Sequence, residues 1–251
     1  MAKTYLALDA EFYWDEKLYK THQAMDPKSN RHAVAVKRVM AAAVFQFTID
    51  DEGRVRTGEI GSWTERDWLD EEGVVSKVFD YLRANECSPI VTFGGLASDV
   101  PIFLLAGIAH GLRLPPQLLD QPGRRGPRPH IDLGLQLKGG GRTWSHLSQV
   151  LLRMGVPFDL VSAKSNVPRP ASNAAWQNLR DHVELDCLLL AIAKVGWLVV
   201  QGTDGLRLEP AIIALVEGFL RRRPDHMLAG DLRAYADTLH DLIAAGFDNA
   251  A

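Results

Sequence analysis

The sequence predicts an α/β fold in which a mixed five-stranded sheet is flanked by helices. Three observations support this prediction. The run Leu6–Ala10 is apolar enough for a strand in the middle of a sheet. Asp50–Gly53 is a hairpin signal between two extended segments, and helical and strand patterns then alternate along the chain. The 251 residues, of which 47% are hydrophobic and 24% charged, suit one large domain or one domain with an appendage.

The first three strands form the antiparallel part of the predicted sheet. Residues 4–10 are predicted as strand one, and residues 34–49, which are rich in Val, Ala and Phe, as strand two. The turn at Asp50–Gly53 returns the chain into strand three over residues 54–63. Residues 13–32 are polar, so we predict a surface loop between strands one and two.

Helices and short strands alternate in the rest of the chain. The spacing of apolar residues predicts helices over residues 70–84, 98–111, 144–154, 174–200, 209–222 and 229–245, strands over 89–93 and 130–133, and irregular segments over 115–129 and 157–170. We predict a main domain over residues 1–205 and a C-terminal helical extension over residues 206–251.

Composition excludes few functions, but it does indicate the cellular compartment. The formal net charge of −3 provides no basic field for nucleic acid, yet a metal-dependent nuclease need not be basic, because the metal neutralises its acids. Cys87 and Cys187 lack CxxC spacing, which predicts buried free thiols in a reducing cytoplasm and no zinc site or disulfide. No signal peptide is predicted before strand one, and the apolar stretch Cys187–Val200 is too short for a membrane span. We therefore expect a cytoplasmic protein without a membrane partner.

Two carboxylates, Asp9 and Glu11, stand at the end of the first apolar run. Because side chains alternate along a strand, both point to the same face. Two neighbouring acids repel each other unless a cation lies between them, so a divalent metal held by oxygen ligands would explain the pair. Solvated acids at an ordinary strand end are the alternative.

Three further residues are candidates for the same place. Asp99 follows a predicted strand and the Gly94–Gly95 break, and it opens a helix, where the helix dipole alone would favour an acid. His182 and Asp186 are four residues apart in the long helix and share one of its faces. Asp186 is either a surface acid at the rim of the core or a metal ligand, and His182 is either catalytic or an ordinary solvated or core-capping histidine. Glu184 is predicted to face solvent.

The acidic stretches resemble, in chain order, the three exonuclease motifs of the DEDD superfamily, the DnaQ-like 3′–5′ exonucleases with a ribonuclease H-like fold. The residues that carry the resemblance are Asp9–Glu11, Val91–Gly95 followed by Asp99–Pro101, and His182–Asp186. The nearest likeness is to the branch related to the proofreading domain of family B DNA polymerases. The middle region of that branch also resembles His130–Leu133 and the stretch from Leu147 to Pro157, so the resemblance covers about residues 4–200.

This chain departs from the family pattern at three positions. Phe12 stands where many relatives have Thr, and Gly94 stands where the second motif usually has Asn, at a contact with substrate or water. His182 replaces the usual Tyr. The tyrosine subgroup places its Tyr four residues before the last Asp and the histidine subgroup places its His five before, so this histidine at tyrosine spacing leaves the subgroup open.

The resemblance implies a two-metal phosphodiester hydrolase that uses two Mg²⁺ or Mn²⁺ ions and acts on the 3′ ends of single-stranded DNA or RNA. By this likeness, Asp9 bridges both metals, Glu11 and Asp186 hold the metal that activates water, and Asp99 serves the second metal. His182 would orient or deprotonate the water.

Aromatic residues beside the motifs are candidates for substrate contact. Phe12, Tyr13 and Phe93 are predicted to stack against terminal bases, with core packing as the alternative for each, and Gly94 lies next to them in the second motif. The basic loop Arg124–Arg128 is either a phosphate contact or an ordinary solvated loop.

Two functional hypotheses remain, an exonuclease or a non-catalytic nucleic-acid-binding or scaffold protein that keeps the fold. All four carboxylates are present, and a decayed site would usually lose at least one, which favours the enzyme. The C-terminal helices are candidates for a homodimer surface or a lid. Arg221–Arg223 at the end of one of these helices is predicted to complement its dipole.

Overall fold

A five-stranded mixed sheet forms the centre of the fold, which confirms the predicted fold class. The computed structural model describes residues 2–26, 34–119, 129–138, 145–162 and 169–248. The strands are β1 (Lys3–Trp14), β2 (Lys37–Ile49), β3 (Val55–Thr64), β4 (Ile90–Thr92) and β5 (His130–Asp132). They lie side by side in the order β3-β2-β1-β4-β5. The apolar strand β1 is therefore central, where both of its faces are covered.

Helices cover both faces of this sheet. They are α1 (Glu16–Met25), α2 (Glu65–Trp68), α3 (Glu71–Ala84), α4 (Asp99–His110), α5 (Leu133–Lys138), α6 (Leu147–Arg153), α7 (Phe158–Ser162), α8 (Asn173–Val200), α9 (Leu208–Arg222) and α10 (Ala229–Asp248). Among the described residues, every helix is too short or too polar to serve as a membrane span.

The turn after β2 fixes the antiparallel part of the sheet. Asp50 Oδ1 accepts hydrogen bonds from the backbone N–H groups of Glu52 and Arg54, at 3.1 and 2.8 Å, and so holds its own turn. Gly53 has φ +76°, and a Cβ atom there would lie 2.2 Å from the backbone of Gly205, so only glycine fits. As predicted, β2 then pairs antiparallel with both β1 and β3.

Strands β1, β4 and β5 are parallel to one another, with Leu6 opposite Ile90 and Thr92 opposite Asp132. Parallel strands end on the same edge of a sheet. The register places the end of β4 just beyond Ala7 of β1, so the connections after β4 and β5 begin beside the stretch of β1 that contains Asp9 and Glu11.

The two faces of the sheet bury different apolar clusters. In β1, Leu6 and Leu8 join the cluster under α3 and α4, whereas Tyr5 and Ala7 join the cluster under α8. This alternation is the period of a strand. Residues 183–195 of α8 are buried throughout, because the sheet covers one side of the helix and α9 covers another.

The C-terminal helices belong to the same apolar core. Phe219 of α9 packs edge-on against Phe45 of β2, with ring centroids 6.0 Å apart. Gly218 lets α9 approach β3 closely, since a Cβ atom there would lie 2.1 Å from Thr57 Oγ1. Helix α10 packs in turn on α9. The division of the chain at residue 205 stays a prediction.

Several segments predicted as loops contain helix. Strand β1 continues to Trp14, and Asp15 then caps α1 by accepting hydrogen bonds from the N–H groups of Lys17 and Leu18, at 2.9 and 3.0 Å. The loop prediction was wrong here because α1 is a predominantly polar segment that buries no residue, so its composition resembled that of a surface loop. Helix α7 lies in the second predicted loop, and α2 and α5 directly follow strands.

Two other predictions have different outcomes. Cys187 is a buried free thiol as predicted, but Cys87 is exposed, because it lies in the turn after α3. The basic loop Arg124–Arg128 falls outside the described residues.

Glu184 is fully buried, so the prediction that it faces solvent was wrong. Arg223 Nε donates to Glu184 Oε2 at 2.7 Å, and Ser62 Oγ donates to the other carboxylate oxygen. The same guanidinium donates to the carbonyl of Ile60 at 3.3 Å. Arg223 therefore ties the end of α9 to both α8 and β3, a role beyond the predicted complement to the helix dipole.

We expect Arg223→Ala to lower the free energy of unfolding by about 2–4 kcal/mol, because it leaves the Glu184 charge buried without its partner. Arg221 is two residues away, and its side chain is 65% exposed. Arg221→Ala should therefore cost less than about 0.5 kcal/mol. Urea denaturation of both variants measures the difference, and equal stabilities would contradict a structural role for the ion pair.

Candidate metal centre

Two carboxylates of β1 point to the face covered by α8. Tyr5 and Ala7 of β1 belong to the cluster under α8, so alternation places Asp9 and Glu11 on the same side. Both residues are partly buried. The pairing of β1 with β2 is irregular directly after Glu11. The predicted sharing of one face by the two acids agrees with the structure.

Helix α8 brings a histidine and a third carboxylate to Glu11. Ser172 begins the helix by accepting a hydrogen bond from the N–H of Ala175 at 3.2 Å. His182 Nε2 lies 3.1 Å from Glu11 Oε1 and 3.7 Å from Asp186 Oδ2. One ligand atom from each of these three residues lies within 4.8 Å of the other two. The helix and the strand thus meet through polar groups at the rim of an otherwise apolar contact.

Asp99 approaches Glu11 from the connection after β4. It is the first residue of α4 and is only 8% exposed. Burial raises the pKa of its carboxyl to about 7. A hydrogen bond from Ser98 opposes this shift, and the negative charges of Glu11 and Asp132 add to it. A divalent cation between Asp99 and Glu11 would relieve this repulsion.

The buried side chain of Asp132, at the end of β5, organises the loop that leads to Asp99. Its Oδ1 accepts hydrogen bonds from the N–H groups of Gly94 at 2.9 Å and Leu135 at 3.1 Å, and its Oδ2 accepts one from Leu96 at 2.9 Å. Gly94 has φ +73°, which suits glycine at this sharp turn. Sequence analysis assigned Asp132 no role. The only available signal was an acid between a short strand and a helix.

Asp9 lies beside the buried part of α8. It pairs in register with Ala43, whose carbonyl accepts a hydrogen bond from Cys187 Sγ at 3.1 Å. Burial raises the pKa of the Cys187 thiol, and the negative charges of Asp9 and Asp186 add to the shift. Among the described residues, Asp9 and Asp99 flank the 4.8 Å group of Glu11, His182 and Asp186 and are not members of it.

The chemistry of these donors fits a hard divalent cation. Carboxylate oxygens are the ligands that Mg²⁺ and Mn²⁺ prefer, and Glu11 and Asp186 supply them within one 4.8 Å group. Asp186 is only 4% exposed, and a buried carboxylate needs a compensating positive charge. His182 lies among these ligand atoms, so it is as close to the centre as the acids are.

The predicted substrate-binding residues lie on both faces of the sheet. Phe12 packs against the cluster under α3 and α4, whereas Tyr13 and Phe93 pack against the cluster under α8. All three rings are partly buried, and there is open space where a Cβ atom of Gly94 would be. Stacking of these rings on bases stays a prediction.

An open cleft of about 550 Å³ lies apart from this centre, along β3. It is lined by strand residues around Ser62, by Trp68 and by Arg180, which forms an ion pair with Asp67. No predicted site residue lines this cleft. The acidic centre is a partly buried cluster at the sheet edge and not part of this groove.

Comparison with known proteins gives similar solved structures but no family assignment. No protein-family model and no curated protein matches the chain. One similar structure is a family B DNA polymerase from the hyperthermophilic archaeon Pyrobaculum calidifontis, at 16% identity over 90% of this chain and 29% of that chain, with a TM-score of 0.45.

Two further similar structures are exonucleases. The zinc-bound complex of E. coli ExoI with single-stranded DNA is 13% identical over 79% of this chain and 42% of that chain, with a TM-score of 0.37. An apo exonuclease I is 13% identical over 97% of this chain and 47% of that chain, with a TM-score of 0.33. The chain spans less than half the length of each of these three proteins. We therefore base the proposed function on the residues of the centre.

We expect Asp132→Ala to lower the free energy of unfolding by about 2–4 kcal/mol, because three backbone N–H groups around a buried position lose their acceptor. Asp159 is exposed in α7, and Asp159→Ala should change stability by less than about 0.5 kcal/mol. Thermal and urea unfolding of both variants measure this. If Asp132→Ala is as stable as its control, Asp132 does not hold the loop.

Proposed function

We propose that this protein is a 3′–5′ exonuclease that hydrolyses phosphodiester bonds at the 3′ end of single-stranded DNA or RNA with two Mg²⁺ or Mn²⁺ ions. The observation that carries the proposal is the convergence of Glu11, His182 and Asp186 within 4.8 Å. Asp9 lies on the same strand face, and the buried Asp99 interacts with Glu11. Independent solvated acids would not meet in this way from three separate parts of the chain.

The four carboxylates would divide the cations between them. In this proposal Glu11 and Asp186 would hold one cation, Asp99 would hold the other, and Asp9 would help to hold both. When bound, the cations supply the positive charge that stabilises the attacking and leaving oxygens of the phosphodiester. The protein supplies fixed positions, because Asp186 is held by a buried helix and Asp99 by a loop anchored on Asp132.

His182 would orient the attacking water. Its Nε2 lies 3.1 Å from Glu11 Oε1 and 3.7 Å from Asp186 Oδ2, so a water near these acids lies within hydrogen-bond reach of the imidazole. The alternative is that His182 takes the proton of the water as a general base, and the two carboxylates would then stabilise the imidazolium that forms.

A non-catalytic nucleic-acid-binding or scaffold protein is the second candidate. Such a protein requires only the fold. It gives no reason for four acids to lie close together, where their negative charges repel one another. The presence of Asp9, Glu11, Asp99 and Asp186 in one region therefore supports the enzyme. A cytoplasmic location and a homodimer through the C-terminal helices stay predictions from the sequence.

Degradation of end-labelled single strands tests the proposal. With Mn²⁺, 5′-labelled DNA or RNA should give a ladder of shortening products, and 3′-labelled strands should release labelled mononucleotide from the start. Asp9→Ala should slow the reaction by about 1,000-fold or more, because it removes the carboxylate that would help to hold both ions. Asp159→Ala, at an exposed position, should leave the rate unchanged.

Equal rates for the wild type and Asp9→Ala would refute the catalytic proposal. Binding of single strands by the wild type without any degradation would support the scaffold protein instead.

We expect His182→Tyr to keep activity within about tenfold of the wild type, because a tyrosine at the same spacing can still orient a water through its hydroxyl. Rates with Mn²⁺ and Mn²⁺ affinity by calorimetry should be measured on the same preparation. An inactive variant with normal Mn²⁺ affinity would show that His182 acts as a base.

A further inference from the structure

Arg169, four residues before the start of α8, lies against the ring of Tyr13. Its guanidinium carbon is 4.4 Å from the centre of the ring, and its Nη2 donates to Glu65 Oε2 at 2.8 Å. Glu65 is only 4% exposed, whereas the Arg169 side chain is 55% exposed. A largely exposed guanidinium is therefore held by an aromatic face on one side and by a buried carboxylate on another.

This arrangement leaves most hydrogen-bond donors of the arginine open. A guanidinium has five N–H donors, and among the described residues Glu65 is the one group that accepts a hydrogen bond from Arg169. This ion pair compensates the buried charge of Glu65, but it uses only one N–H group of the guanidinium. An arginine held in place with open donors is well suited to bind an anion, because little rotamer freedom is lost on binding.

The position of this group relates it to the acidic centre. Tyr13 is two residues beyond Glu11 on the same strand face, packed against the same apolar cluster under α8. Two residues of strand span about 7 Å. The guanidinium lies a further 4.4 Å from the centre of the Tyr13 ring, so a strand of nucleic acid with a repeat of about 3.4 Å per nucleotide would pass it within a few nucleotides of the centre.

We propose that Arg169 binds a phosphate of the single-stranded substrate a few nucleotides from the bond that is cleaved. Tyr13 and Glu65 are positioning residues that hold its guanidinium in place. This inference rests on the proposed function, because it takes the acidic centre as the place of cleavage. It makes the protein selective for strands with several phosphates over substrates with a single phosphodiester.

In this proposal Tyr13 contacts the substrate through the arginine. One face of its ring is covered by the guanidinium, and the residue also packs against the cluster under α8. That geometry favours a supporting role over stacking on a terminal base.

Two substrates of different length test the proposal. The first is a short single-stranded oligonucleotide, and the second is the p-nitrophenyl ester of thymidine 5′-monophosphate, which has no neighbouring phosphate. Arg169→Ala should lower kcat/KM on the oligonucleotide by about 10–100-fold and change turnover of the ester by less than about twofold. Arg153→Ala removes the same charge from an exposed helix end and should change neither rate.

The salt dependence of binding separates a phosphate contact from a structural effect. In the wild type, log Kd for the oligonucleotide should depend on log salt concentration with a slope that falls by about 0.7 in Arg169→Ala, as expected for one phosphate contact on a single strand. Glu65→Gln and Tyr13→Leu should lower the slope in the same direction. Tyr13→Phe keeps the ring face but removes the hydroxyl that hydrogen-bonds to Glu65, so its slope should lie between those of the wild type and Tyr13→Leu.

The outcomes separate this inference from the proposed function. If Arg169→Ala matches the wild type in both rates and salt slope while Asp9→Ala is inactive, the phosphate contact is refuted and the exonuclease stands. If the wild type cleaves neither substrate but Arg169→Ala still loses the salt slope, the exonuclease fails and the phosphate contact stands. An equal loss on the oligonucleotide and the ester would refute the proposed selectivity.

Discussion

Helix α8 carries three buried carboxylates across the middle of the sheet, and each must meet a donor or a positive charge without leaving the apolar core. Asp181 accepts a hydrogen bond from the N–H of Met227 at 3.1 Å, Glu184 is paired with Arg223, and Asp186 faces His182 and Glu11. Burying a carboxylate without such partners would cost several kcal/mol. Because these partners lie on different sides of the helix, they fix its rotation as well as its depth. The face that carries His182 and Asp186 is therefore held toward β1 by contacts made elsewhere.

A second constraint comes from the parallel strands. Since β4 and β5 end beside the middle of β1, the acids at and after their carboxyl ends approach Asp9 and Glu11 whether or not this is favourable electrostatically. The negative charge of Asp132 is stabilised because its carboxylate accepts hydrogen bonds from three backbone N–H groups. Two of these hydrogen bonds also hold the loop that leads to Asp99. Among the described residues, Asp99 accepts one side-chain hydrogen bond, from Ser98, and burial raises its pKa to about 7. This region thus contains one acid that accepts three backbone hydrogen bonds and others that lie close to further acids, and a bound cation would stabilise the second group.

The sequence was sufficient for features that depend on local period and chain order. The shared face of Asp9 and Glu11 follows from strand alternation, and the pairing of His182 with Asp186 follows from the helical turn. Features that depend on tertiary contacts were missed. Glu184 appeared to be a surface acid because nothing in its neighbourhood shows that α9 will cover that side of α8, and α1 was missed because it buries nothing. The roles of Asp132 and Arg169 depend on partners that lie about 40 and 100 residues away along the chain, beyond the reach of any local pattern.

In the proposed function, the charges of the centre determine how nucleic acid approaches it. A strand of phosphates is repelled by a group of carboxylates, and the formal net charge of −3 gives no general attraction to offset this. This acidic region would therefore bind single strands weakly without metal, and a neutral or basic surface would bind them more tightly. Bound divalent cations would change this, because they would make the local charge positive at the place where the phosphodiester binds. Arg169 then lies at the margin of that region, as a fixed positive charge that does not depend on metal. In the proposed function the substrate binds to metal at the acidic centre and to the guanidinium of Arg169. This explains the presence of both the carboxylates and the arginine, whereas a scaffold function explains neither.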